Sequence, residues 1–405
     1  MESLKELYRV GPGPSSSHTI GPKRALEEVM SRYKDATSFK VCLYGSLALT
    51  GRGHLTDYIL KKTSYPKECE VKFDINEKVT HPNTMDISAI MDGNEYTLRA
   101  YSLGGGKIAF EGEDYYCNPN VFPFNSALVI KEEIKRSGLS LLDLVYKYDK
   151  DIKPYLSMVL DKMFECVNRG LNASGLIPGK LKLEKVAKSI YEEALSLDKE
   201  TPKDERAKLF LTAYAYAVSE ENASGGEIVT APTCGASGVV PSVLYYFYKH
   251  EGVNKDKLVD ALAIGGVFGN LVKTNASISG AVHGCQAEVG TACSMAASIA
   301  AYLFDLNLDQ IEYAAEVAME HHLGLTCDPV LGYVQIPCIE RNGVAALRAY
   351  DAAIYGRYIS KFRKNRVSFD EVVSVMKETG DHIMSEYKET SLGGLAKKYL
   401  EKERG

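Results

Sequence analysis

Beyond about residue 150 this chain keeps returning to one pattern. Apolar residues recur at three- and four-residue spacing through "YLSMVLDKMFECVNRGL", "KLEKVAKSIYEEALSL", "ERAKLFLTAYAYAVSEE", "LDQIEYAAEVAMEHHLGL", "GVAALRAYDAAIYGRYISKF" and "SFDEVVSVMKETGDHIMSEY". Such spacing lays an apolar stripe along one face of a helix, and the period-two alternation of strands is nearly absent. The second half is therefore expected to be almost wholly α. Two runs, "ALAIGGVFGNLV" (261–272) and "ACSMAASIAAYLF" (292–304), are apolar all round. Both are too short to span a bilayer and read as buried helices.

The first 120 residues differ. "SFKVCLYGSLALT" (38–50) and "NEYTLRAYSLGGGKIAF" (94–110) are rich in β-branched and aromatic residues and suggest strands. "GPKRALEEVMSRYKDA" (21–36) predicts a helix with Pro22 in its first turn, and further helices are expected near 126–136 and 140–148. The expected fold class is thus an α+β N-terminal domain followed by an all-α domain. The boundary is set at residues 1–150 and 151–405, with "YKYDKDIKPY" (146–155) as the linker.

A formal net charge of −5 argues against nucleic acid or an anionic membrane as the main partner. The opening "MESLKELYRVGPGPSSSHT" has no apolar signal-peptide core, so a cytoplasmic location is expected. In that setting nine cysteines point away from a disulfide framework and towards metal binding or catalysis.

Gly-rich, non-periodic segments separate the helices: "NASGGEIVTAPTCGASGVVP" (222–241), "NASISGAVHGCQ" (275–286) and "LTCDPVLGYVQIPCIERN" (325–342). Irregular backbone carried by rigid helices is where sites are built. Cys285, Cys327 and Cys338 lie there, each at a helix end, where helix N-termini favour anionic ligands. Their separations of 42 and 11 residues match no zinc-finger, ferredoxin or haem spacing. Spacing alone leaves three small buried hydrophobes as the simpler reading. The polar, Gly- and Pro-shaped surroundings "GCQAE", "TCDP" and "PCIERN" count against it. Three thiolates without a fourth would suit a cluster with one open iron.

Four long motifs carry a resemblance: "GPGPSSSHTIGP", "ENASGGEIVTAPTCGASGVVP", "SISGAVHGCQAEVGTACSMAAS" and "AMEHHLGLTCDPVLGYVQIPCIERN". Together, in that order, they resemble the bacterial iron–sulfur L-serine dehydratases of the single-chain, β-then-α type. The resemblance covers essentially the whole chain. It implies dehydration of L-serine to pyruvate and ammonia, with a [4Fe–4S] cluster on Cys285, Cys327 and Cys338. It implies no pyridoxal phosphate, a small amino acid as the partner, and by analogy a homodimer. An open iron would act as Lewis acid on the β-hydroxyl, and a general base would take the α-proton.

For that base the family motifs offer His54 in "GRGHLTD" and, second, His18 in "SSSHT". A lone histidine is more often a structural hydrogen-bond partner, and only the resemblance raises these two. Ser15, Ser16, Ser17 and Thr19 could hold the substrate carboxylate in a turn, or form a plain Ser-rich turn. Thr233 and Gly235 in "APTCG" could cradle the amino acid or merely cap a helix, and Lys273 is expected to supply positive charge to substrate or cluster.

The chain departs from the family in four places. It ends in "YLEKERG", without the cysteine tail by which family members cap the fourth iron. "APTCG" puts Cys234 where the family has asparagine, which makes Cys234 a candidate resting-state iron ligand as well as a small residue filling a tight loop. Val282 and His283 replace an acidic residue and a valine beside Cys285, and Leu55 follows His54. Another small amino acid, L-threonine or L-cysteine, could therefore be the substrate. A sensor that keeps the metal without catalysis is the alternative from a different class, and the two histidine motifs argue against it.

Overall fold

The computed structural model describes residues 1–113, 119–198 and 200–404. The chain opens with β1 (Val10–Pro12), then a π-helical turn over Ser16–Ile20 that runs directly into α1 (Gly21–Arg32). Pro22 occupies the first turn of α1, where its missing amide removes no helical hydrogen bond. There follow β2 (Ser38–Tyr44), α2 (Gly45–Thr50), α3 (Thr56–Ser64), β3 (Glu68–Asp74), β4 (Thr84–Met91), β5 (Asn94–Gly104) and β6 (Lys107–Phe110). The sheet order is β3-β2-β4-β5-β6, with β2 and β3 parallel and the other neighbours antiparallel.

β2 shows why this sheet forms. Phe39, Val41 and Leu43 alternate inward and pack with Leu26 and Val29 of α1, Leu47 of α2 and Leu60 of α3. The strand expected over 38–50 ends at Tyr44. Gly45 takes φ +53, which a side chain would resist, and "GSLALT" turns into a helix. β3 and β4 were not singled out from sequence. Four of β3's seven residues, Glu68, Glu70, Lys72 and Asp74, are charged and alternate with Cys69, Val71 and Phe73, a period-two pattern that the sequence does carry.

The remaining elements are α4 (Ala127–Ser137), α5 (Leu141–Tyr148), α6 (Ile152–Asn172), α7 (Ala187–Ser196), α8 (Lys203–Ala223), β7 (Glu227–Val229), α9 (Val239–His250), α10 (Lys255–Asn275), α11 (Gly280–His283), α12 (Thr291–Leu303), α13 (Leu308–Glu320), α14 (Cys338–Tyr358), α15 (Phe369–His382) and α16 (Gly394–Arg404). The second half is helical, apart from the short β7. α12 is its axis: Thr291–Ala301 are all buried, and the helix packs on α10, α13 and α14. Gly265 and Gly269 let α10 come close. A Cβ on them would lie 2.7 Å from the Ile299 side chain and 2.6 Å from Met295 Sδ.

The hydrophobic cores divide the chain differently from a cut at residue 150. Apolar residues of α4 and α5, together with Leu4, Leu7 and Tyr8, belong to the core of the helical body. "YKYDKDIKPY" is not an open linker but a pinned corner. Asp149 is buried there and accepts from Ser3 Oγ and Leu4 N, both at 2.8 Å, and α6 begins three residues later. β1 pairs antiparallel with β7, which anchors the Ser15–Thr19 segment onto the helical body. Among the described residues no helix is long and apolar enough to cross a membrane.

Candidate active site

The Gly-rich segments converge on the three cysteines. Cys285 directly precedes a π-helical turn, Gln286–Gly290, that leads into α12. Cys327 lies on the loop after α13, and Cys338 is the first residue of α14. Gln286 fastens the first loop to the second: its backbone N–H donates to Leu325 O at 3.1 Å, and its Oε1 accepts from Gly324 N at 3.0 Å. Asn342 does the same for the third. Its Nδ2 donates to Cys338 O and to Gly235 O, both at 2.8 Å, which ties "APTCG" to α14. A side chain begun on Gly280 would start 3.1 Å from Cys327 Sγ and 2.7 Å from Glu288 Oε2, so only glycine leaves this room.

The C-terminal segment closes the cradle. Cys327 N–H donates to Tyr387 O at 2.8 Å, and Glu389 N–H donates to Cys327 O at 2.7 Å. A short parallel bridge thus carries Glu389 into the site, where Ser46 Oγ donates to its carbonyl at 2.8 Å.

The thiols share one electrostatic environment. Burial pushes Cys285 up to about 11 and also raises Cys327 and Cys338, whose neighbouring thiols and the carboxyls of Glu288 and Glu389 add to the effect. Arg341 sits among them; against the pull of burial, Cys285, Cys338 and Cys327 raise its pKa. Its Nη1 donates to Thr326 O at 2.7 Å. Glu288 and Cys338 keep some accessible surface, whereas Cys285 and Cys327 are buried. Burial lifts Glu288 to about 7, with the Thr233 hydroxyl opposing the rise, and burial and then Glu288 raise Glu389. Three thiols that share the Arg341 guanidinium and also feel the carboxyls of Glu288 and Glu389 make a site that needs further positive charge before they can ionise together.

On the other side lie the histidines, both fully buried. Their rings meet edge to face with centroids 4.3 Å apart. His18 is held at both nitrogens: Nδ1 by Ser17 Oγ at 2.9 Å and Ser15 Oγ at 3.2 Å, Nε2 by Thr50 Oγ1 at 2.9 Å. His54 has no hydrogen-bond partner at either nitrogen among the described residues. Burial lowers His18 to about 4; burial, then His18, also lowers His54, so both rings are neutral at pH 7. The turn bearing His54 touches the cysteine loop, since a Cβ on Gly53 would lie 2.6 Å from Gly332 O. Gly53→Ala should force these turns apart and lower kcat by about 10- to 100-fold while leaving the circular dichroism unchanged.

Not every expected residue arrives here. Lys273 pairs instead with Glu2 Oε2 at 2.7 Å and donates to Glu6 O at 3.0 Å, in a separate cleft also lined by Lys107 and Asn120. Thr19 Oγ1 is engaged by the backbone carbonyls of Ser15 at 2.6 Å and Pro12 at 2.9 Å, so it shapes the turn. Ser16 is buried within that turn. His283 turns from Cys285 to meet Asp381 on α15 at 3.0 Å. Leu55 takes φ +59 at the end of the His54 turn and lies against Gly225. Thr233, Cys234 and Gly235 do reach the site: Gly235 borders Glu288, whose charge also acts on the buried Cys234 thiol.

Sequence reading missed Glu288, Glu389, Gln286 and Arg341. Glu288 and Gln286 could have been found as the polar residues of an otherwise apolar helix start, "GCQAEVG", and Arg341 by its place three residues after Cys338. Glu389 in "YKETS" carries no such signal.

Comparison with known proteins divides the chain within α3 (Thr56–Ser64), so that β3 to β6 fall with the helical part. Residues 3–61 match the serine dehydratase beta chain family and residues 62–396 the serine dehydratase alpha chain family. Across 454 aligned positions the chain is 37% identical to L-serine dehydratase 2 of Escherichia coli (strain K12), covering 99% of both chains. L-serine dehydratase 1 of the same strain is 38% identical, with 98% of this chain and 99% of that one covered. An L-serine dehydratase of Helicobacter pylori (strain ATCC 700392 / 26695) is 38% identical, with 98% of each chain covered.

Proposed function

This chain belongs to the serine dehydratase family, with the alpha and beta parts in one polypeptide, and on that premise we propose how its site works. It is an L-serine ammonia-lyase, converting L-serine to pyruvate and ammonia. Its cofactor in this proposal is a [4Fe–4S] cluster on Cys285, Cys327 and Cys338. The observation that carries it is the convergence of three thiol-bearing loops, fastened together by Gln286 and Asn342, with the thiols close enough to act on one another and on the Arg341 guanidinium. A single zinc ion ~2.3 Å from three thiolates would need sulfurs ~3.8 Å apart. Among the described residues these thiols form no set within 4.8 Å of one another, which supports a larger group. When bound, the cluster would supply a Lewis acid for the departing β-hydroxyl.

The chain's own residues do the rest. His54, neutral and without a hydrogen-bond partner at either nitrogen among the described residues, takes the α-proton. His18, fixed by Ser17 and Thr50, packs against its ring and orients it. Ser15 and Ser17 connect His18 to Glu389, and the backbone of the Ser15–Ser17 turn, with Thr233 and Gly235 opposite, receives the substrate carboxylate. The enclosed setting keeps bulk water from the aminoacrylate until it leaves, to tautomerise and hydrolyse. Cys234 remains the candidate fourth ligand. Cys234→Ala should change the cluster's resting visible spectrum, and an unchanged spectrum would remove that role.

The test is a substrate panel on anaerobically prepared protein. L-Serine should give pyruvate with a kcat/KM well above the rates of L-threonine and L-cysteine turnover. A preference for either of the others would refute the assignment.

A further inference from the structure

An amino-acid substrate brings a full positive charge into this site. Its α-ammonium has three N–H donors, and burying them away from acceptors is unfavourable. Some group beside the base must receive it. The ammonium nitrogen and the α-proton sit on the same carbon, about 2 Å apart by ordinary bond lengths. The ammonium's partner must therefore neighbour the histidine that takes the proton.

We propose that Glu389 binds the α-ammonium of the substrate, an inference that rests on the lyase assignment above. Glu389 is buried, and one atom each of Glu389, His18 and His54 lie within 4.8 Å of one another. Its Oε1 accepts from Ser15 Oγ at 3.3 Å and stands 3.6 Å from His18 Nδ1. Among the described residues its Oε2 is buried without a hydrogen bond of ordinary geometry, and the Ala281 backbone N–H is the polar group that acts on the carboxyl from that side. Ser15 and one backbone N–H leave this carboxylate short of the acceptor contacts it can take, and it faces a base, His54, that has no hydrogen-bond partner among the described residues. The set is not a built metal site, because both nitrogens of His18 already have hydroxyl partners. Glu288, the other carboxyl in the site, lies against Gly280, Gly235 and Thr233 on the thiol side and is outside the histidine set.

Specificity follows. Glu389 would select α-amino acids over hydroxy acids of the same shape, and its position on the C-terminal segment would couple ammonium binding to the Cys327 loop through the 2.7 Å bond from Glu389 N to Cys327 O.

The test uses anaerobically purified holoenzyme and the isosteric Glu389→Gln. Binding of L-serine is measured by calorimetry beside KM and kcat, and the comparison ligands are 3-hydroxypropionate and pyruvate, which lack the amino group. The expected result is a loss of L-serine affinity of about 100-fold, the scale of a buried charge-assisted bond, with a matching rise in KM. Affinity for the amine-free ligands should stay within about threefold and iron content should be unchanged. Equal weakening of all ligands, an unchanged L-serine affinity with a lower kcat, or loss of iron would each overturn the assignment. Failure of the lyase assignment itself would show separately, as wild-type protein that makes no pyruvate.

Discussion

Cys327→Ser, prepared without oxygen, should fail to retain iron and lose at least ~10³-fold of its pyruvate-forming activity, because a Lewis acid is worth several kcal/mol at the leaving hydroxyl. A serine hydroxyl is a harder and far less acidic ligand than a thiol, so it does not replace a thiolate on iron. The fold should survive. The two backbone hydrogen bonds that fix Cys327 to Tyr387 and Glu389 do not involve its side chain. Circular dichroism and an unchanged elution volume check this. If Cys327→Ser kept both iron and activity, the three-thiol cradle would be wrong.

His54→Asn should separate chemistry from metal. Removing a positioned base costs typically 10²–10⁴-fold in rate, so kcat should fall by about that factor. Iron content and the affinity for 3-hydroxypropionate should not move, because His54 makes no hydrogen bond to any described residue. His18→Asn should be different in kind. Its ring is engaged by Ser15, Ser17 and Thr50, so its loss should loosen the turn and lower stability as well as kcat. If His18→Asn proved the more damaging to kcat with stability intact, the two roles would have to be exchanged.

How far these residues could be read from sequence depended on whether their signal was local. The helical half was legible because apolar stripes are local; Cys338 opens α14 as expected, whereas Cys327 lies not on a helix end but on the loop seven residues beyond α13, held there by its bridge to the C-terminal segment. The first strand was only half legible. "SLALT" has a strand's composition, but the left-handed Gly45 ends β2 one residue earlier and starts α2. Lys273 was assigned to the site from its place after an apolar run. Tertiary pairing with Glu2 takes it elsewhere, and no spacing within α10 could foretell this. Glu389 was invisible for a similar reason. It owes its place to a backbone bridge with Cys327, 62 residues earlier in the chain. The segment that enters the site lies just before α16, where no local pattern marks it.

The most direct measurement takes iron, acid-labile sulfide and the visible spectrum of protein purified without oxygen, then adds L-serine in the same cuvette and assays pyruvate. About four irons and four sulfides per chain, a spectral change on addition of L-serine and steady pyruvate formation are expected. Pyruvate formed by protein holding neither iron nor sulfide, or a full cluster whose spectrum ignores L-serine while pyruvate accumulates, would contradict the account.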